Sequence, residues 1–281
     1  MVNFGYRFAR LQGKFNRSLY RQVLPQLLRH PIAQTRKVSV AAYALSCERD
    51  LPEQVASIRS FIRYVGIPTT FTIISDGSYT QNSLNLLEQI HSCVRVISLS
   101  EFSAPQLPQA VSAYADRNPM GKKLATILSI PILEQTLYID SDILFFKGAT
   151  ELVELLETRD GRSYYLPDET DALDGRMLNN ESEKDAPVNG GFILFKNNLD
   201  WSLAIERFLA MEEPPNYFTE QTMVHLTLHE NRALPLCPQK YIMARDDEFI
   251  YRDRYAGDNI VLRHYVNPVR HKFWLNLQNL G

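Results

Sequence analysis

Two carboxylates stand one residue apart in an apolar, strand-like run of the sequence. The segment reads LYIDSDILFF over residues 137–146, with Asp140 and Asp142 on either side of Ser141. In an extended chain, residues i and i+2 project to the same side, so both carboxylates can converge on one point. Because buried like charges repel each other, such a pair requires a cation nearby. Mn²⁺ or Mg²⁺ suits the oxygen ligands and also bridges to phosphate oxygens, whereas the alternative is a pair of turn-forming aspartates.

The segments around this pair alternate between strand patterns and helix patterns. Strands are predicted at residues 38–45, 69–78, 94–100, 136–146, 163–169 and 190–196, and helices at 51–65, 82–90, 121–135, 199–212 and 219–230. This order predicts an α/β fold, with a mixed, mostly parallel central sheet flanked by helices. In an open sheet of this kind, ligands bind at the carboxyl ends of the strands. Asp140 stands at such an end.

Composition restricts the class of protein. The chain has 281 residues and 45% apolar content, which is typical of a globular protein with a sizeable core. Three scattered cysteines fit neither a disulfide framework nor a zinc cluster, and they favour a reducing, cytoplasmic setting. The sequence shows no signal peptide and no apolar run long enough to span a membrane.

The N-terminal segment differs in charge from the rest of the chain. Residues 1–47 carry eight basic residues and no acidic one, whereas the remainder has 22 basic and 32 acidic residues, which argues against a nucleic-acid partner. We therefore expect a basic amphipathic helical arm over 1–37 and one catalytic domain over 38–281. The helical spacing aligns an apolar stripe of Phe4, Phe8, Leu11, Phe15 and Leu19. This stripe could pack on the body or lie on an anionic membrane, and Gly13 and Pro25 favour packing because they weaken the helix.

Four segments, in this order along the chain, resemble the nucleotide-sugar glycosyltransferases of the GT-A fold, most closely glycosyltransferase family 8. The first joins a helix bearing Lys123 to the strand that ends in Asp140 and Asp142. The other three are VNGGFILFK at 188–196, TEQTMVHL at 219–226 and LRHYVNPVRHKFW at 262–274. Together with the first strand, these motifs extend the resemblance over about residues 38–275.

The resemblance implies a set of site residues. The implied metal ligands for Mn²⁺ or Mg²⁺ are Asp140, Asp142 and His264. The implied donor contacts are Ala41, Ala42 and Tyr43, with Tyr43 available to stack on the base, then Lys123, Asp140, Gly190 and Gly191, and Arg270 or Lys272 against the diphosphate. Glu220, Gln221 and Asn189 are implied catalytic residues beside the donor sugar.

The last motif departs from the family pattern. The family places a lysine six residues after the histidine, but here Arg270 occupies that position and Lys272 lies two residues further on. Asn267 stands where the family has a glycine, and His271 is an alternative metal ligand. We interpret His225 and His229 as ordinary helix residues, because the glutamate of a zinc-protease motif is missing after His225. Asp168 and Glu169 begin an acidic run that could line an acceptor site, but we favour a solvated loop.

The resemblance implies a retaining glycosyltransferase. It would move a hexose from UDP-glucose or UDP-galactose to a hydroxyl of a glycan, a lipid-linked acceptor or a protein. A non-catalytic sugar-nucleotide or glycan-binding module on the same fold is the alternative from another class. A sugar nucleotidyltransferase is a second alternative, but the sequence after the first strand lacks the glycine-rich phosphate loop that it requires. The expected location is cytoplasmic, with a peripheral membrane contact if the basic helix binds lipid.

Overall fold

The structure is a computed structural model that describes residues 4–104 and 106–276. Its centre is a seven-stranded sheet. In spatial order the strands are β3 (Val94–Ser98), β2 (Ile67–Ser75), β1 (Lys37–Ser46), β4 (Thr136–Ile139), β7 (Val188–Phe195), β6 (Tyr164–Pro167) and β8 (Leu234–Pro235). The first four run parallel, whereas β7 is antiparallel to both β4 and β6. The predicted mixed, mostly parallel sheet is confirmed.

Helices cover both faces of this sheet. In the described residues they are α1 (Phe4–Leu27), α2 (Leu51–Tyr64), α3 (Gln81–Glu88), α4 (Leu99–Phe102), α5 (Gln109–Arg117), α6 (Pro119–Ser129), α7 (Thr150–Glu157), α8 (Ser202–Leu209) and α9 (Thr219–Glu230). Short 3-10 turns lie at Glu48–Asp50, Lys147–Ala149, Gly175–Met177, Glu181–Lys184 and Arg270–Leu275. Because β1 is covered on both sides, Val40 to Ala44 are all buried, which explains its continuous apolar sequence.

The predicted long strand at 136–146 is divided between two sheets. β4 ends at Ile139, and a second, three-stranded sheet begins with β5 (Ile143–Phe145), which pairs with β10 (Leu262–His264), itself paired with β9 (Tyr241–Ile242). The chain crosses from one sheet to the other through Asp140, Ser141 and Asp142. Because His264 is in register with Ile143, the β5–β10 pairing brings the end of the chain beside the two aspartates.

The N-terminal segment forms one helix, α1, and its orientation corrects the packing that we favoured. Its buried residues are Ala9, Gly13, Tyr20 and Leu24, and this face packs on the Arg270–Leu275 turn. The stripe from Phe4 to Leu19 faces away from the body and is exposed. Small residues allow a closer approach of backbone to backbone than phenylalanines do, and this approach decides which face is buried. In the described part of the chain, no helix combines the length and the apolar character needed to cross a bilayer.

Candidate active site

A cleft of about 540 Å³ opens at the carboxyl edge of the sheet. Its floor is formed by the end of β4 and the crossing to β5, with Asp140 and Asp142. One wall comes from the turn after β1, with Arg49 and Asp50, and from α6. The rest of the lining comes from β7, from the start of α9 and from the segment around Arg270. The cleft therefore lies where ligands bind in open α/β sheets.

Three potential metal ligands converge on the floor of this cleft. One ligand atom from each of Asp140, Asp142 and His264 lies within 4.8 Å of the others. His264 Nε2 is 3.0 Å from Asp142 Oδ1 and 3.6 Å from Asp140 Oδ2. Two carboxylates and one imidazole are a donor set that Mn²⁺ or Mg²⁺ accepts. These are the three residues expected from the motifs.

Asn189 fixes the orientation of His264 through a hydrogen bond to Nδ1, the ring nitrogen on the side away from the aspartates. Asn189 Oδ1 accepts hydrogen bonds from the Gly191 N–H at 2.9 Å and from His264 Nδ1, also at 2.9 Å. Its Nδ2 donates to Asp168 Oδ2 at 3.0 Å, so the amide has one orientation only. Nδ1 must therefore carry a proton, and Nε2 faces the two carboxylates. A positive charge at this point, supplied by a metal ion or by a proton on Nε2, offsets the repulsion between the two carboxylates.

Glycine is required at Gly191 by the position of His264. A Cβ added at Gly191 would lie 2.2 Å from His264 Cε1, closer than real atoms approach. A Cβ at Gly190 would lie 3.0 Å from Glu220 Oε1 and 3.6 Å from Lys123 Nζ. The two glycines thus make room for the protein's own site residues. From the sequence we expected Gly190 and Gly191 to make room for the donor instead.

Two side chains other than the potential metal ligands also contact Asp140. Lys123 Nζ donates to Oδ2 at 2.8 Å, and the Tyr138 hydroxyl donates to Oδ1 at 2.9 Å. Burial alone would lower the pKa of Lys123, but Asp140 and Glu220 raise it above its usual range. Lys123 therefore remains an ammonium ion, although its side chain is mostly buried.

Arg270, not Lys272, supplies the cation near Asp142. Arg270 Nη1 lies 3.6 Å from Asp142 Oδ2, and its Nη2 donates to Asp50 Oδ1 at 2.8 Å. Lys272 does not line the cleft. Its Nζ is fully buried and donates to the carbonyls of Ile250 and Arg252 at 2.8 and 2.7 Å. Of the two alternatives for the diphosphate contact, Arg270 lines the cleft and Lys272 does not.

Glu220 and Gln221 line the cleft at the start of α9. Glu220 is 2% exposed, and its Oε1 has no hydrogen-bond partner in the described structure. Burial raises the pKa of Glu220 to about 7, with Lys123 acting in the opposite direction and Asp140 in the same one. Gln221 lines the cleft and donates from Nε2 to the Ala172 carbonyl at 3.1 Å.

The predicted base contacts on β1 lie too early along the strand. Ala41, Ala42 and Tyr43 are buried within the sheet, and the Tyr43 ring packs on Phe102 with centroids 5.7 Å apart. The cleft begins four residues beyond Ala41, with Leu45, Ser46 and Cys47. This corrects the expectation that Tyr43 is available to stack on the base. The strand continues to Ser46 because β2 pairs with it that far.

Asp168, for which sequence reasoning favoured a solvated loop, is buried and lines the cleft. Its side chain is 1% exposed, and its Oδ1 accepts a hydrogen bond from Arg245 Nη2 at 2.8 Å. Through Oδ2 it holds Asn189, and hence His264. The only local signal was its place directly after the β6 strand, at the same sheet edge as Asp140.

The interpretation of His225 and His229 as ordinary helix residues agrees with their contacts. His225 Nε2 hydrogen-bonds the Glu183 carbonyl at 2.6 Å, and His229 Nε2 hydrogen-bonds the Ala186 carbonyl at 3.0 Å. Neither lines the cleft. His271 is likewise outside it, and its Nδ1 faces the Pro268 carbonyl at 3.2 Å.

Solved glycosyltransferases share this architecture at low sequence identity. An active-site mutant of LgtC superposes with a TM-score of 0.52 at 14% identity, covering 81% of this chain and 88% of that one. Mouse xyloside xylosyltransferase 1 gives 0.51 at 11% identity, covering 83% and 98%. The bifunctional glycosyltransferase WbbM gives 0.53 at 12% identity, covering 89% of this chain and 51% of that protein. No protein-family model and no curated protein matches the sequence. The chain has the fold of the GT-A glycosyltransferases, as its motifs predict.

Proposed function

We propose that the chain is a metal-dependent glycosyltransferase that moves a hexose from a nucleoside-diphosphate sugar to an acceptor hydroxyl. The observation that carries this proposal is the convergence of Asp140, Asp142 and His264 within 4.8 Å at the carboxyl edge of a GT-A sheet. Arg270 and Lys123 flank the same point. Two fixed cations beside a set of metal ligands suit a diphosphate leaving group.

Each residue has a proposed role. Asp140, Asp142 and His264 hold Mn²⁺ or Mg²⁺, which, when bound, offsets the charge that develops on the departing diphosphate. Arg270 contributes a guanidinium at the same end of the cleft, and Lys123 keeps Asp140 in place. Asn189 fixes the His264 ring, so that the ligand atom Nε2 faces the aspartates. The chain positions charge before the reaction begins, and this preorganisation lowers the barrier.

Glu220 and Gln221 act on the sugar side of the cleft. With a pKa of about 7, Glu220 exchanges a proton near neutral pH without a large change in free energy. Glu220 lines the cleft, and its buried, unpartnered Oε1 lies beside Gly190. We assign the donor to UDP-glucose or UDP-galactose and the outcome to retention, because the motifs resemble glycosyltransferase family 8.

Two exposed aromatic residues favour a carbohydrate acceptor. Tyr217 and Phe218 line the cleft directly before α9 and are 65% and 42% exposed. Aromatic rings stack on the apolar faces of sugar rings and present a rigid surface for them. We therefore favour a glycan or a lipid-linked sugar over a protein side chain as the acceptor.

The experiment is an assay of UDP release from UDP-glucose and from UDP-galactose, with Mn²⁺ and with a chelator. Slow release by hydrolysis is expected even without an acceptor, and it should disappear with the chelator and in Asp142→Asn. The anomeric configuration of the first product sugar, read by NMR, tests retention. If UDP-sugars bind but no UDP is released with any candidate acceptor glycan, the chain is a binding module.

A further inference from the structure

Helix α1 presents a continuous apolar stripe to solvent. Its members share helical spacing and large exposed fractions: Phe4 79%, Phe8 61%, Leu11 65%, Phe15 67% and Leu19 43%. A helix on a globular protein normally turns such a stripe toward the core. Contiguous exposed apolar surface of this kind marks an interaction site.

The orientation of α1 is built into its contacts with the body. The Gly13 backbone approaches the His271 carbonyl so closely that a Cβ at Gly13 would lie 2.5 Å from the oxygen. Asn16 Nδ2 donates to the Trp274 carbonyl at 2.8 Å, and the Tyr20 ring lies 5.1 Å from the Trp274 ring. Arg17 forms an ion pair with the buried Glu53 at 2.6 Å. Rotating α1 to bury its phenylalanines would break all of these contacts.

Basic side chains flank this stripe. Arg7, Arg10 and Lys14 are exposed and have no ion-pair partner among the described residues. The sequence has no acidic residue before Glu48. Two copies of the helix face to face would bring these like charges together, so the charge disfavours self-association and favours an anionic surface.

Neighbouring aromatic side chains extend the apolar surface beyond α1. The Phe8 and Tyr251 rings lie 5.7 Å apart, and the Tyr6 and Phe249 rings lie 5.3 Å apart. Phe249 is 59% exposed and Tyr251 39%. With its 24 residues, α1 is about 36 Å long, so the surface is an elongated strip.

We propose that this strip docks on an anionic lipid bilayer, with α1 in the plane of the headgroups. The phenylalanines and leucines enter the boundary between headgroups and acyl chains, and Arg7, Arg10 and Lys14 contact the anionic headgroups. Because α1 packs on the turn that begins with Arg270, docking holds one wall of the cleft at the bilayer surface. If the proposed function holds, this places the donor site within reach of a lipid-linked acceptor.

The test is flotation of the full chain with vesicles of phosphatidylcholine alone and of phosphatidylcholine with phosphatidylglycerol. We expect the chain to float with the anionic vesicles only and to be released by raised salt. Leu11→Ser with Phe15→Ser should weaken binding at least about tenfold, since both side chains lose their apolar contact. Arg7→Gln with Lys14→Gln should weaken it by about fivefold for each charge removed.

A matched control uses exposed apolar residues elsewhere. Leu133→Ser with Leu209→Ser, at side chains that are 92% and 55% exposed, should leave vesicle binding within about twofold. Circular dichroism and the melting temperature of each variant verify that it folds. The proposal is overturned if the chain fails to float with anionic vesicles or if the Leu11/Phe15 variant floats as well as the parent. It is equally overturned if sedimentation shows that the parent is a dimer and the Leu11/Phe15 variant a monomer, while neither protein binds vesicles. None of these results depends on transferase activity.

Discussion

Asp142 and Glu220 are two carboxyl groups that line one cleft, and both are nearly buried, being 9% and 2% exposed. Burial raises the pKa of each, yet the two end in opposite states. His264 and Arg270 lower the pKa of Asp142 well below its usual range, whereas Glu220 has only Lys123 to oppose its burial and reaches a pKa of about 7. Neighbouring charges, and not the degree of burial, therefore distinguish the two ends.

The two ends of the cleft therefore suit different parts of the proposed reaction. The Asp142 end is paired and rigid, with Arg270 bridging to Asp50 and Asn189 holding His264. Such an end suits the constant charge of a metal and a diphosphate. The Glu220 end has a group poised to gain or lose a proton, which suits the sugar that changes during reaction.

Removing the Arg270 guanidinium should have the largest effect, because it disrupts the ion pairs at the Asp142 end of the cleft. Arg270→Gln leaves Asp142 and Asp50 without their shared cation, and we expect about a hundredfold loss of UDP affinity in the presence of Mn²⁺. Lys147→Gln removes an exposed cation that pairs with Asp258 outside the cleft, and it serves as the control. An unchanged affinity in Arg270→Gln would remove Arg270 from the donor site.

Neutralising Glu220 should remove the free-energy cost of burying its negative charge. The pKa of Glu220 is raised above its unfolded value of 4.5, so the folded protein binds more protons, and stability falls as the pH rises from about 4.5 to about 7. Glu220→Gln should therefore add about 2 kcal/mol to the free energy of unfolding near pH 8, and little near pH 4. Denaturant titrations at several pH values measure this difference. Glu206→Gln, at an exposed residue, should leave the pH profile as it is; a parallel shift at all pH values in Glu220→Gln contradicts the account.

Adding one methyl group should displace His264. Gly191→Ala places a Cβ against the imidazole, and we expect a loss of about 2 kcal/mol in unfolding free energy and weaker Mn²⁺ binding. Gly175→Ala adds the same methyl where nothing lies within 4 Å, so it should change neither quantity. Equal effects of the two substitutions would show that His264 does not depend on Gly191.

Removing the Asn189 side chain that orients the His264 ring should have a smaller effect. Asn189→Ala removes the acceptor for His264 Nδ1, and we expect about a tenfold loss of Mn²⁺ affinity without nucleotide. Calorimetry or the Mn²⁺ paramagnetic resonance signal measures it directly. Asn197→Ala, which removes a hydrogen bond to Ser163 outside the cleft, is the matched control. Full Mn²⁺ affinity in Asn189→Ala would mean that the ring is held by other contacts.

The sequence was informative where function depends on residue type and order. The Asp140–Asp142 pair, His264 and Glu220 were predicted as site residues from a strand end, a helix start and the order of four motifs, and the structure places them in one cleft. The alternation of strands and helices likewise predicted the sheet. Each of these signals can be read from the types and the order of residues along the chain.

Other features depend on distances that the sequence does not contain. Asp168 reaches Asn189 and Arg245 only after three segments fold together, so its acidic neighbours suggested a loop. Tyr43 was placed at the base because nothing local shows how far β1 extends before the cleft begins. The orientation of α1 depends on Gly13 meeting the His271 carbonyl, far along the chain. An amphipathic pattern shows that one face differs from the other, but not which face the body accepts.

The most direct test is titration calorimetry of UDP into the protein, with and without Mn²⁺, repeated on Asp142→Asn. Asn keeps the shape of the side chain and removes the charge that the proposed cation requires. The account predicts that UDP binds the parent only with Mn²⁺ and that Asp142→Asn loses at least about a hundredfold in affinity. UDP binding that is equally tight without the metal, or that survives in Asp142→Asn, would contradict it.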